Sequence, residues 1–171
     1  MGRQDRADKG TMSQDAKFED GGERPLRLMA VDTDDLQVVS SLVQDAVFPA
    51  SEIQWLASQR RFAILLNRFR WEDVPQAERR GRNFERVQAV LLIQDVVKVQ
   101  SQGVQKGDAD TILSILSMSF VPAEDGMGRL ELTLAGDGAI ALEVESLDVV
   151  LKDVTRPYVA PSKRAPGHPD A

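Results

Sequence analysis

Strict alternation near the end of the chain constrains the fold more than any other feature. Leu130, Leu132 and Leu134 alternate with Glu131 and Thr133. Gly136-Asp137-Gly138 follows, and then Ile140, Leu142 and Val144 alternate with Ala141, Glu143 and Glu145. Successive side chains of a strand point to opposite faces, and Gly and Asp tolerate the positive φ of a tight turn. The segment predicts an antiparallel hairpin with one buried face and one wet face.

The rest of the chain fits around such a hairpin. Leu26-Arg27-Leu28-Met29-Ala30 alternates as a short strand. Asp32, Thr33, Asp34 and Asp35 look like a helix start, since small oxygen-bearing side chains accept the free N–H groups of a first turn. Leu36, Val39, Val43, Ala46 and Val47 then recur at helical spacing, with Pro49 as the stop. Everything beyond reads as strand. Residues 52–57 and 61–69 form a hairpin, and Trp55, Phe62 and Phe69 are assigned to the core. Residues 86–93 are almost continuously apolar, the mark of a strand buried on both faces or under the helix. Val97 and Val99 resume alternation after Asp95. Ile112, Ser114, Leu116, Met118 and Phe120 are assigned to one strand face, and residues 147–154 continue as a strand or turn into a final helix.

These elements predict an α+β fold, mainly antiparallel, in one domain over residues 25–155. A weak internal echo, in which strands near 62–66, 87–91 and 97–99 parallel those near 112–120, 130–134 and 140–144, suggests two three-stranded meanders. They would pack as a small sandwich or a partly open, pleckstrin-homology-like barrel. Residues 1–24 are polar, with Met12 an alternative start, and read as a disordered N-terminal tail. Residues 156–171 carry Pro157, Pro161, Pro166 and Pro169 and read as a disordered C-terminal tail.

Composition removes whole classes of chemistry. The 171 residues include no cysteine and one histidine, so thiolate metal sites, cysteine nucleophiles and histidine pairs are excluded. His168 lies in the proline-rich tail, where no scaffold holds a general base, so Ser-His-Asp catalysis is set aside. No glycine cluster matches a phosphate-binding loop, and no cofactor is implied. No apolar run approaches the roughly 18 residues of a membrane span, and the first stretch lacks the apolar core of a secretory signal. Carboxylates remain the one acid/base device. Glu143 and Glu145 sit two apart on a predicted strand, about 7 Å between Cβ atoms, with Glu131 across the turn. Together they form a weak candidate for a divalent cation or an acid/base pair, against the plainer reading of a solvated strand face.

The most informative segment runs from residue 60 to 86. It holds eight arginines, no lysine and four acids, about +4 in a chain of net charge -6. Arg60, Arg61, Arg68 and Arg70 supply guanidinium forks that match phosphate or carboxylate, and Trp71 supplies an aromatic platform. The competing structural reading pairs Arg68 and Arg70 with Glu143 and Glu145 in a cross-strand ladder.

The run Asp35-Leu-Gln-Val-Val-Ser-Ser-Leu-Val-Gln-Asp-Ala-Val47, followed by Arg60-Arg-Phe-Ala-Ile-Leu-Leu-Asn-Arg-Phe-Arg-Trp-Glu72, resembles a bacterial family catalogued as a domain of unknown function, number 2948. The closing Asp137-Gly-Ala-Ile-Ala-Leu-Glu-Val-Glu-Ser-Leu-Asp148 looks like the same family's end. The similarity spans about residues 26–154 and implies a bacterial, cytoplasmic protein. It transfers no activity, ligand or catalytic residue. The leading expectation is a non-enzymatic domain that engages an anionic or macromolecular partner, protein or RNA, through the arginine-rich hairpin. The alternatives are a metal-dependent enzyme or sensor on the Glu131/Glu143/Glu145 face, and a homo-oligomer that pairs through its hairpin edge.

Overall fold

The computed structural model describes residues 24–104, 110–160 and 165–166. Eleven strands and two short α-helices follow one another as β1 (Arg27–Ala30), α1 (Thr33–Leu42), β2 (Val47–Pro49), β3 (Ile53–Leu56), β4 (Arg61–Phe69), α2 (Val74–Arg80), β5 (Glu85–Ile93), β6 (Val96–Gln102), β7 (Ile112–Pro122), β8 (Gly128–Leu134), β9 (Gly138–Val144), β10 (Val149–Asp153) and β11 (Tyr158–Val159). All pairings are antiparallel, in the order β1-β10-β5-β4-β2-β7-β8-β9-β6. β3 lies on β4 and β11 on β5. The sheet is open, and the fold is α+β with strand dominant.

The alternation at 130–144 folds as read. Leu130, Leu132 and Leu134 pair with Leu142, Ile140 and Gly138, and all three leucines are buried. Gly136 and Asp137 turn the chain with φ of 78° and 68°. Asp32 caps α1 by accepting the Asp35 N–H at 2.8 Å. The helix ends at Leu42, however, well before Pro49. Asp45 donates its N–H to the Ile115 carbonyl and Ala46 accepts the Ile115 N–H, so strand pairing captures the backbone that the apolar spacing assigned to the helix. Val47 and Pro49 belong to β2.

Other expectations also shift. α2 interrupts what read as strand and loop; its signals are Pro75 in the first turn and Gly81 at φ 63° after the last. A bulge between Ile115 and Ser117 flips the face of β7, so Leu113, Ile115 and Met118 point inward while Ile112 is exposed. Trp55 sits on edge strand β3 and is 37% exposed rather than core, whereas Phe62 and Phe69 are buried. The internal echo breaks at its third strand: β6 leaves β5 and pairs with β9, because the Gln94–Asp95 corner turns the chain into the other half of the sheet. Residues 149–153 are strand, between β1 and β5. The ordered chain continues past the boundary expected at 155: β11 pairs with β5, Gln88 N–H donates to the Thr155 hydroxyl, and Ala160 is buried with its N–H on the Phe84 carbonyl. Proline blocks interior strands, but this two-residue edge needs few donors. Residues 1–23 and His168 lie outside the described residues.

One core unites both halves. Phe62, Ile64 and Leu66 of β4, Ala89, Leu91 and Ile93 of β5, the inward leucines of β8 and β9, and Leu36, Val39 and Leu42 of α1 form one buried cluster. α1 packs against β1 and β7, and α2 adjoins the 3-10 turn Trp71–Asp73.

Candidate functional site

β4 divides the arginine segment. Phe62, Ile64, Leu66 and Arg68 all point inward, so Arg68 enters the end of the core with 0% exposure. Its five N–H donors are all used. Nε and Nη2 donate to the two oxygens of Asp153 at 3.0 Å each, Nη1 and Nη2 donate to Glu72 at 2.9 and 2.7 Å, and Nη1 also reaches the Phe69 carbonyl at 3.2 Å. Burial alone would lower the Arg68 pKa, but the hydrogen bonds and charges of Glu72 and Asp153 outweigh it and raise the value. Glu72 is the mirror image. Burial would raise its carboxyl, yet Arg68, with a smaller contribution from Arg70, holds it below the ordinary range.

The network continues beyond Arg68. Arg70 pairs with Glu85 and lies 3.6 Å from Asp73, which also accepts both Nη groups of Arg82 at 3.0 and 3.1 Å. Three arginines (68, 70, 82) thus meet four carboxylates (72, 73, 85, 153), a balance of -1 inside the domain. Trp71 donates Nε1–H to the Gln44 carbonyl at 3.0 Å and packs edge-on against Phe69, 4.7 Å between ring centroids. It is a wedge between segments, not an open platform. Arg86, whose pKa burial lowers, is held by Asn67, which itself reaches the Tyr158 hydroxyl. Of the five residues expected to form a contact face, Arg60 and Arg61 alone are exposed.

The expected ladder with the glutamates does not form, because Arg68 and Arg70 point to the opposite end of β4 from Glu145. Arg60, in left-handed conformation at the β3–β4 turn, pairs with Glu145 instead. Glu145 lies beyond the end of β9, so it does not share a strand face with Glu143. Glu131 pairs with Arg129 at 2.8 Å, and Glu143 is in register with both Arg129 and Lys98. Among the described residues no group of three or more His, Asp or Glu is arranged to hold a metal ion. A cleft of about 610 Å³ opens at the start of α1, lined by Phe120, Leu147, Asp32 and Asp148 among others. Asp32 is engaged in capping, and Ser146 donates its hydroxyl to Asp95 at 2.9 Å.

A surface the sequence did not single out lies on the outside of β1, β10, β5 and β4. The register aligns Met29, Val150, Leu92 and Ala63 in one row and Arg27, Lys152, Val90 and Leu65 in the row on one side of it, with Arg61 flanking the first row on its other side. Val150 is buried at 8% exposure, Leu65, Val90 and Leu92 are half-buried, and Met29 is 56% exposed. No outward position on these four strands is Asp or Glu. Neither helix is packed on this face: α1 contacts β1 from the core side, where Ala30 is buried, and α2 stays with the 71–73 turn. Its signal is the unbroken apolar run of β5, which reads as a strand buried on both faces or under the helix. The outer half of that run, Val90 and Leu92, has no covering layer among the described residues. The opposite half of the sheet differs, since its outer positions on β8 and β9 are Arg129, Glu131, Thr133, Ala139, Ala141 and Glu143.

Among the described residues no helix is long and apolar enough to cross a membrane. No curated protein and no solved structure matches the chain. A family does: its match begins one residue before β1 and runs through every strand described above, taking in both the arginine network and the outer face, so over residues 26–168 the chain belongs to the family described as Protein of unknown function (DUF2948).

Proposed function

We propose that this domain is a non-enzymatic binding module of the bacterial cytoplasm, and that its contact surface is the outer face of β1, β10, β5 and β4. The partner is an acidic protein surface with an apolar centre. The carrying observation is the pairing of an aliphatic row, Met29-Val150-Leu92-Ala63, exposed at Met29 and half-buried at Leu92 and Ala63, with Arg27, Lys152 and Arg61, at outward positions free of carboxylates in a chain of net charge -6. Aliphatic centres with a charged rim supply burial and orientation respectively. RNA fits less well, because base stacking needs aromatic platforms and the centre of this face has none. Arg61 stays in the site from the original hairpin, while Arg68, Arg70 and Trp71 hold the scaffold behind it.

The test is affinity capture from lysate, with and without ribonuclease, using the full chain and two charge-matched variants. Arg61→Glu/Lys152→Glu alters the face, and Lys98→Glu/Arg79→Glu alters exposed cations elsewhere. The proposal expects a ribonuclease-resistant protein that the face variant loses and the control keeps. Identical capture by all three chains, or a partner removed by ribonuclease, overturns it.

A further inference from the structure

β1 is the end of the sheet. Among the described residues it pairs with β10 alone, and its other edge is unpaired. The phase of that ladder decides which backbone groups are available. Asp153 donates its N–H to the Leu26 carbonyl at 2.9 Å and the Leu26 N–H donates to the Asp153 carboxylate at 3.1 Å, so the backbone groups of Leu26 and Asp153 face each other. In an antiparallel ladder such pairs alternate, so Leu28 and Ala30 also turn their N–H and C=O toward β10, while Arg27 and Met29 turn theirs toward the free edge. Arg27 and Met29 are also the β1 residues whose side chains lie on the outer face. Free backbone groups and the proposed contact surface therefore meet in the same two residues.

The other edges carry devices that discourage pairing. β6 is bulged between Val96 and Lys98, β3 is hemmed by the 3-10 turns Ala50–Glu52 and Ala57–Gln59, and β11 has two residues. β1 has no bulge and no internal proline, and Val31, immediately after it, is 59% exposed. A second copy is a poor occupant. Two β1 edges joined about a two-fold axis would bring both Arg27 side chains to one seam, each backed by Lys152 on the next strand, with no carboxylate among the outward positions, and like charges on neighbouring strands repel.

We infer that the β1 edge takes up an extended acidic–apolar segment of the partner protein as an added antiparallel strand, which places a carboxylate opposite Arg27 and an apolar side chain opposite Met29. This inference rests on the outer face being the contact surface. Strand addition draws affinity from main-chain hydrogen bonds and specificity from alternate side chains, which is the division seen at this edge.

The probe is the peptide acetyl-Thr-Leu-Thr-Leu-Thr-Glu-Thr-amide, titrated into the full chain and followed by amide NMR shifts and hydrogen exchange. Binding should slow exchange of the Arg27 and Met29 amides. N-methylation of the Leu and Glu amides, which face β1 in this pairing, should weaken binding by about tenfold or more, while N-methylation of the Thr amides should leave it unchanged. Equal binding of both methylated peptides, or no binding of any, overturns strand addition. If the lysate partner still depends on Arg61 and Lys152 in either case, the outer-face reading survives alone. A concentration-dependent dimer whose Arg27 and Met29 amides are protected without peptide overturns it in favour of the second copy.

Discussion

The two ends of β4 carry the same residue type in opposite circumstances. Just before its start Arg60 is 57% exposed and meets one carboxylate, Glu145, in water. Near its finish Arg68 is wholly buried, and two carboxylates and a carbonyl take all five of its donors. The difference teaches that charge counts along a chain do not measure available charge. An exposed pair gains little because water screens it, whereas a buried arginine is held by partners that would be stranded without it.

The largest effect should therefore come from Arg68→Met, which leaves Asp153 without its counter-ion and Glu72 with only the 3.9 Å contact to Arg70. A loss of about 3–5 kcal/mol is expected in urea denaturation, a large share of the about 5–15 kcal/mol of an ordinary domain. Adding Glu72→Gln and Asp153→Asn to Arg68→Met should recover a substantial part, since the stranded charges are gone. A single variant as stable as the wild type would break the comparison. The second effect concerns pH. Because Arg68 holds Glu72 below the ordinary carboxylate range, the folded state binds that proton less readily than the unfolded chain. Glu72 then contributes stability above its unfolded pKa and loses it as pH falls through the folded value. Denaturation midpoints of Glu72→Gln should fall less steeply than wild type between about pH 5 and pH 3; parallel slopes would remove Glu72 from the account.

Arg60→Ala should be the mildest disruption of an ion pair here, about 1 kcal/mol or less by the same denaturation. A loss comparable to that of Arg68→Met would mean exposure is the wrong criterion. Smallest of all is the expected stability change of Arg61→Glu/Lys152→Glu, within about 0.5 kcal/mol, since both side chains lie on the surface. That near-neutrality lets its loss of partner capture be read as a binding effect.

Local rules made parts of this molecule legible. The β8–β9 hairpin was readable because alternation and turn residues agree, and the start of α1 because Asp32 is a good cap. The end of α1 was not, since Val43 and Ala46 stay buried whether the chain is helix or has already turned to pair with β7. Helix α2 carried Pro75 and Gly81 as marks, but its arginines drew the reading toward a contact face. The β7 bulge has no sequence mark that alternation can see, and one extra residue moves every later side chain to the other face. The candidate site was half visible: the apolar run of β5 read as a strand buried on both faces or under the helix, and nothing in it showed that the outer half would lack a cover.

By itself, the sequence determined strand dominance, antiparallel pairing, the absence of thiol and histidine-pair chemistry, and an arginine-rich stretch in an acidic chain, because these follow from composition and from period-two spacing. Tertiary structure alone decided which arginines are spent. Arg68 meets Asp153 across 85 positions of chain, and Met29, Val150, Leu92 and Ala63 align only once four distant strands take their register. Burial and cross-strand adjacency are properties of that register, and no local pattern encodes them.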